Sequence, residues 1–301
     1  MNTIYVLGSL NMDLVIESDK IPTKGETVRG ENFSTCPGGK GLNQAIAAAK
    51  LSAKVKMLGA IGYDSFGEKM FNSLKENNVD VSHIKMVKGV SSGIAMILLH
   101  NKDNRIILDL GANLKLTKSD VDSFLKGACA GDVFLSQLEN NLELVGYALE
   151  VAKRKKMRTV INPAPCDIGI KKYARFIDVI TPNSGELHTL LKYGKYQQKP
   201  NKLGISTIIE TKGKDGYCCY KGKETITGKA VKVKVVDTTG AGDAFNGALC
   251  YQLAQGKDIN KTSLNFACLA ASISTTKHGT SVSSPTLDEI NKFKNKIQAL
   301  H

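Results

Sequence analysis

Short apolar runs alternate along this chain with longer stretches in which apolar residues recur every three or four positions. The first pattern predicts buried strands, the second predicts helices. Residues 4–10, 55–61, 133–138, 159–162, 179–181 and 207–210 are runs of the first kind, and Pro163 and Pro182 stop two of them. Residues 41–51, rich in alanine, predict a helix, as do 64–77, 142–153, 243–255 and 262–276. The glycine-rich stretch 213–228 predicts a hairpin. Strand–helix alternation of this kind points to an α/β fold: a doubly wound, mostly parallel sheet with helices on both faces. Two segments break the alternation. Residues 13–33 do not fit it, and strands at 93–99 and 105–110 are joined by the polar turn 100–104. They predict a small added β-sheet, a lid built from about residues 10–35 and 93–111. No repeat, low-complexity tract or linker divides the chain, so residues 1–301 read as a single domain.

Composition narrows the class. The chain has 301 residues, 42% of them hydrophobic, enough for a full core. No apolar run reaches the ~18 residues of a membrane span, and the N-terminus reads as a first strand rather than a secretory leader. The seven cysteines are odd in number and lack C-x-x-C spacing, and two of them, Cys218 and Cys219, are adjacent. This points to reduced thiols in a cytoplasmic protein. A formal charge of +13 favours anionic partners. The lysines are scattered, however, and the densest cluster, Lys153-Arg154-Lys155-Lys156, ends a predicted helix, where it offsets the dipole. Aromatic residues make up only 6% and no basic stripe carries them, so nucleic-acid binding has no support.

Two constellations carry chemistry. In Asp237-Thr238-Thr239-Gly240-Ala241-Gly242-Asp243 a small-residue turn opens a helix. A helix start presents unpaired amides and about half a positive charge, an arrangement that suits phosphate. Asp243 sets a carboxylate beside that position, where it can orient or deprotonate a hydroxyl. An ordinary capped helix start reads the same way locally. The dipole is expected to lower the Asp243 pKa and make it a weak base. The second constellation begins after the first strand. Asn11 and Asp13 alternate and so face one side, at the strand end where ligands of open α/β sheets bind. Pro37-Gly38-Gly39-Lys40-Gly41-Leu42-Asn43 then enters a helix and brings donors from Lys40 and Asn43. Asn, Asp, Lys and Asn match sugar hydroxyls better than an apolar ligand; a plain strand-end turn with a glycine-rich helix entry is the alternative. Other nucleotide and hydrolase signatures are missing. There is no G-x-x-x-x-G-K-[ST], dinucleotide fingerprint, H-E-x-x-H or G-x-S-x-G.

Together these segments resemble the ribokinase family of carbohydrate kinases, the PfkB superfamily. The resemblance runs from Ile4 to about Pro285. It rests on residues 8–13, Gly25-Glu26-Thr27, residues 38–45 and residues 237–247. Gly111-Ala112-Asn113, Gln137-Leu138-Glu139, Asn162-Pro163-Ala164-Pro165 and residues 181–186 support it. It implies an enzyme that uses ATP and Mg²⁺ to phosphorylate the terminal hydroxyl of a pentose, D-ribose above others. By the same resemblance Asn11, Asp13, Gly39, Lys40, Asn43 and Glu139 hold the sugar, and Asp243 is the base. Gly240, Ala241 and Gly242 form the anion hole. Asn183 and Glu186 position Mg²⁺ through water, while Thr211, Gly213, Gly216, Gly242 and Cys268 line the nucleotide. A monovalent cation, K⁺, is expected at Asp237, Thr239, Ser274, Lys277, Gly279 and Ser283. The lid is expected to pair two copies into a homodimer.

Three departures stand out. Cys268 occupies a position where relatives often carry His or Asn near adenine. The segment 194–204 is shorter than usual, and Leu42 replaces a small residue. His278 reads as a loop residue and Asp64 as a helix cap. Competing readings are a sister kinase for deoxyribose, fructose or a nucleoside, and a non-catalytic sugar-binding regulator on the same fold. Asn11, Asp13, Lys40 and Asn43 favour ribose over nucleosides, and Asp243 with its glycine turn argues against the regulator.

Overall fold

The computed structural model describes residues 1–101, 103–193, 196–197 and 199–298. The chain opens with β1 (Thr3–Leu7), β2 (Asn11–Glu17) and β3 (Glu31–Gly38), then α1 (Lys40–Lys50), β4 (Lys54–Gly62) and α2 (Ser65–Glu76). Next come β5 (Asp80–Val87), β6 (Gly93–His100), β7 (Asp103–Asp109) and α3 (Lys118–Leu125). The middle of the chain forms β8 (Val133–Ser136), α4 (Leu142–Arg154), β9 (Arg158–Ile161), β10 (Val179–Ile180) and α5 (Ser184–Leu191). A short pair follows, β11 (Lys192–Tyr193) and β12 (Tyr196–Gln197), then β13 (Thr207–Thr211), β14 (Tyr217–Lys221) and β15 (Glu224–Gly228). The chain closes with α6 (Ala241–Ala254), α7 (Lys261–Ser274) and α8 (Leu287–Gln298).

The main sheet runs β15-β14-β13-β10-β9-β8-β1-β4-β5. From β13 to β5 all neighbours are parallel, and β13, β14 and β15 are antiparallel. Alternating side chains of β1 serve two cores, as the pleat demands. Ile4 and Val6 pack with α1, α6 and α7, whereas Tyr5 and Leu7 pack with α3 and α4. Every residue of α6 from Asp243 to Ala254 is buried, which explains why that helix is apolar nearly all round. Strand order reverses between β8 and β1: the chain builds outward through β4 and β5 on one side, then returns to β8 and the rest on the other. That is the switch point where open α/β sheets hold ligands.

A separate sheet, β3-β2-β6-β7, stands off the body. It matches the expected added sheet, but β3 continues to Gly38 and runs straight into the Gly39 cap of α1. Asn11 and Asp13 therefore open β2 of this sheet rather than extending β1. Edge strand β5 and helices α3, α5 and α8 were not predicted. In the shortened segment, residues 194, 195 and 198 lie outside the described residues, and Pro200–Leu203 is a 3-10 turn. All seven cysteines are free; Cys218 and Cys219 point to opposite faces of β14. No helix among the described residues is long and apolar enough to cross a membrane.

Candidate active site

The β1–β2 turn and the start of α1 are pressed together by small residues. A Cβ on Gly41 would lie 2.4 Å from the Gly8 carbonyl carbon and 2.5 Å from the Ser9 nitrogen, so only glycine permits this approach. Leu42, just inside the helix, is fully buried in the core beneath the turn. Glu139, three residues past β8, closes the gap across the switch point. Its Oε2 accepts from Ser9 Oγ at 2.5 Å, from the Lys40 amide at 3.2 Å and from Asn11 Nδ2 at 3.4 Å. The negative end of Glu139 thus sits on the positive end of α1.

The far wall is the start of α6. Asp243 is buried at 8% exposure, and side chains of α1 hold both its oxygens. Asn43 Nδ2 donates to Oδ2 at 3.2 Å and Gln44 Nε2 to Oδ1 at 2.9 Å. Gln44 also donates to Asn162 Oδ1 at 3.0 Å and accepts from Gln137 Nε2 at 2.7 Å. The chain of bonds continues from Asn162 to the Thr181 carbonyl, from Thr181 to Asn246, and from Asn246 to the Gly242 carbonyl. Through this buried network Asp243 is tied to α1 and to the chain just after β8, β9 and β10.

Electrostatics correct one expectation. Burial pushes the Asp243 carboxyl above its ordinary pKa, even though Lys40, Gln44 and Asn43 pull it down; Glu139 adds to the rise. The predicted lowering by the helix dipole is overridden. Asp13 rises from 3.8 to about 7, because it is buried beside the charges of Glu139 and Asp243 while Lys40 opposes them. For Lys40 burial acts downward, but Asp243, Glu139, Glu186 and Asp13 outweigh it and keep the ammonium charged. Asn43 Oδ1 is buried without a partner among the described residues, an acceptor ready for a hydroxyl.

At the α6 N-terminus, Gly240 is in the left-handed region with φ 77, and a Cβ there would lie 3.0 Å from Thr280 Cα. The Ala241 amide already donates to the Thr238 carbonyl at 3.2 Å, and the Ala244 amide to that of Gly240 at 2.9 Å. Among the described residues the amides of Gly240, Gly242 and Asp243 have no backbone partner. The free set therefore differs by one member from the predicted set: Asp243 takes the place of Ala241. Beside this turn lies a cavity of about 550 Å³. Thr211, Gly213, Gly216, Gly242 and Cys268 all line it, with Phe245 and Val233. The Cys268 thiol is neutral, since burial raises its pKa.

Asn183 and Glu186 cap α5 reciprocally. Asn183 Oδ1 accepts from the Glu186 amide at 2.9 Å, and Glu186 Oε2 from the Asn183 amide at 2.8 Å. Burial raises the Glu186 carboxyl despite the Asn183 amide and Lys40. Asp237 receives the Thr239 amide at 2.9 Å and the Gly279 amide at 3.2 Å. Burial works against its charge, but those amides and His278 hold it below its ordinary value. Ser274 accepts the Lys277 amide at 3.3 Å, Ser283 Oγ donates to the Thr280 carbonyl at 2.8 Å, and the Lys277 ammonium turns away to Glu289 at 2.5 Å. Asp64 caps α2 as expected, accepting the Gly67 amide at 2.8 Å, and also fastens Ser92 ahead of β6. Sequence reasoning missed the supporting residues Gln44, Asn113, Gln137 and Asn162. Each stood inside a motif already singled out, but only packing shows what its amide holds. Asn113 donates to Leu10 and Asn11 and accepts from Leu10, pinning the start of β2.

The profile of pfkB family carbohydrate kinases matches residues 1–287. The chain belongs to this family. A ribokinase of Bacillus subtilis is 38% identical over 297 residues, covering 97% of this chain and 99% of that protein. Among solved structures, a ribokinase from Thermotoga maritima is 31% identical with a TM-score of 0.88, covering 98% of this chain and all of that one. An Arabidopsis thaliana ribokinase complexed with ribose and ATP is 26% identical with a TM-score of 0.86, covering 97% of each.

Proposed function

We propose that this pfkB-family protein transfers the γ-phosphoryl group of ATP to the 5-hydroxyl of D-ribose. One observation carries the reading: a buried carboxylate, Asp243, sits in the first turn of α6 beside the amides of Gly240 and Gly242, which have no backbone partner among the described residues. A base and an anion hole thus share one helical turn.

In this reading Asn11, Asp13, Gly39, Lys40, Asn43 and Glu139 hold the sugar hydroxyls. Asp243 orients the 5-hydroxyl and takes its proton as the new O–P bond forms. Phosphoryl transfer is largely dissociative, so alignment and charge stabilisation dominate. The amides of Gly240 and Gly242 stabilise charge on the moving phosphoryl group. The nucleotide lies in the cavity lined by Thr211, Gly213, Gly216 and Cys268. Glu186 leaves Oε1 without a protein donor among the described residues, and Asn183 lies directly beside it through their reciprocal bonds. This fits Mg²⁺ held mainly by phosphates and water, with Asn183 and Glu186 alongside; the ion would supply charge neutralisation. Asp237, kept ionised, with Thr239, Ser274, Lys277, Gly279 and Ser283 fits K⁺. The added sheet, residues 10–35 and 93–111, acts as the lid that excludes water.

The lid also carries a homodimer in this proposal. Ile16, Phe33, Met96 and Ile107 are exposed large apolar residues, and the pairing of Leu14 with Met96 and Met96 with Ile107 sets them on one face. Seven free cysteines suit the reducing cytoplasm, where we place the activity.

The test is ADP release across pentoses, hexoses and nucleosides, each with and without potassium. Ribose-dependent release that potassium accelerates is the expected result. Release with no sugar preference would reduce the reading to the family alone. Asp243→Asn is expected to abolish most turnover while keeping ribose binding; near-normal turnover would remove its role.

A further inference from the structure

Lys50, the last residue of α1, takes no part in the chemistry above, yet its ammonium is fully engaged. Its Nζ lies 2.9 Å from the carbonyl oxygens of Ser281 and Val282 and 3.2 Å from that of Ser284. An ammonium has three protons, and here each meets a carbonyl. The group is half-buried. Burial lowers its pKa and the charge of Lys277 adds to that, while Glu289 opposes. With no anion bonded to it among the described residues, this half-buried cation is offset by the three carbonyl bonds, which in turn tie the 281–284 backbone to the end of α1.

The segment it grips is the wall behind the phosphate turn. The loop between α7 and α8 has no regular structure to order its carbonyls. Its Gly279 amide donates to Asp237 Oδ2 at 3.2 Å, and Thr280 backs directly onto Gly240. The other end of α1 carries Asn43 and Gln44, whose side chains hold Asp243, and Lys40, whose charge acts on it.

We infer that Lys50 is a positioning residue: its ammonium fastens the 279–284 loop to the end of α1, so that the phosphate turn and the carboxylate-holding helix move as one body. The kinetic part rests on the kinase reading; the structural part does not.

The test compares wild type with Lys50→Met, which keeps the apolar stem, and Lys50→Ala. Hydrogen exchange is expected to quicken on the order of tenfold or more at 237–242 and 279–284 in both variants, and to stay unchanged at the start of α1. ADP affinity, measured by calorimetry, falls by about tenfold, while KM for ribose stays within about twofold. Propylammonium, which refills the space left in Lys50→Ala, restores protection and ADP affinity there but not in Lys50→Met. Wild-type exchange and ADP affinity in a folded Lys50→Met would overturn the inference, as would equal losses over the whole chain. If Lys50→Met does not fold, Lys50→Gln, which keeps two donors, is read by the same exchange assay against the same criteria. A wild type without sugar kinase activity would sink the kinase reading and leave the exchange result to decide Lys50.

Discussion

Asp13→Asn is expected to stabilise the fold at alkaline pH while weakening sugar binding. The Asp13 carboxyl rises from 3.8 to about 7 on folding, chiefly through burial, and among the described residues no protein group hydrogen-bonds it. A carboxyl whose folded pKa lies above its unfolded value favours folding when protonated. Its contribution is whole below about pH 4 and disappears as pH rises through about 7. Each unit between those limits is ~1.4 kcal/mol, so the full difference is about 4 kcal/mol, and about 2 kcal/mol still counts as agreement. Asparagine has no such titration and no partner to lose. The assay is the urea midpoint of both proteins from pH 5 to pH 8.5. The variant's advantage should grow with pH and level off above about pH 7.5, while its ribose affinity falls at every pH. A stability difference that does not change with pH, or a variant less stable than wild type at pH 8.5, would refute the reasoning.

Further outcomes follow from the supporting residues. Gln44→Met removes a charge-assisted bond to Asp243 worth about 1.5–3 kcal/mol; the acid limb of kcat/KM for ribose moves to higher pH, read from a pH–rate profile. An unmoved limb would leave Gln44 a merely structural role. Gly240→Ala forces a Cβ into the left-handed region against Thr280, costing about 1–2 kcal/mol, and kcat falls more than ribose affinity in steady-state kinetics. Asn113→Ala frees the start of β2, so KM for ribose rises while KM for ATP holds, and stability drops by about 2–4 kcal/mol in urea. Ile107→Asp puts a charge on the exposed apolar face of the small sheet; light scattering is expected to give dimers for wild type under the proposed pairing and monomers for the variant, and a monomeric wild type would remove that pairing.

Much of the fold was legible because the buried parallel strands are continuous apolar runs. Residues 133–136 and 207–209 are buried on both faces and are apolar apart from Ser136 and Thr207. β5 was missed because it is an edge strand whose residues are half-covered and mixed with Ser82, His83 and Lys85. α3 and α8 bury only a narrow stripe; α8 has Asp288, Glu289, Lys292, Lys294 and Lys296 among its few apolar positions. Such elements depend on what packs against them, and periodicity over eight to twelve residues is weak evidence. The small sheet was foreseen in place but not in register, since its strands pair residues far apart in sequence, as Asn11 does with Gly93.

The site was legible in its members and not in its charge balance. The expectation for Asp243 considered the helix dipole, a local effect that a motif reveals. At a helix terminus that effect is worth about 0.3–1 kcal/mol when exposed and about 2 kcal/mol at best. Burial is a property of the assembled fold: α1 crosses α6 closely enough that a Cβ on Gly247 would lie 2.6 Å from Ala47, and this crossing removes Asp243 from water. Desolvation of a carboxylate costs several kcal/mol, so it wins, and Lys40, Asn43 and Gln44 only limit the rise. The outcome suits the proposed chemistry better than the expectation did. A carboxylate stabilised solely by a dipole would hold its charge too well to accept a proton. One buried among Glu139 and Asp13, with a single lysine nearby, has a proton affinity set by neighbours that a bound sugar and phosphate would themselves touch. Its basicity is therefore responsive to the ligands, which a carboxylate on an open helix end would not be.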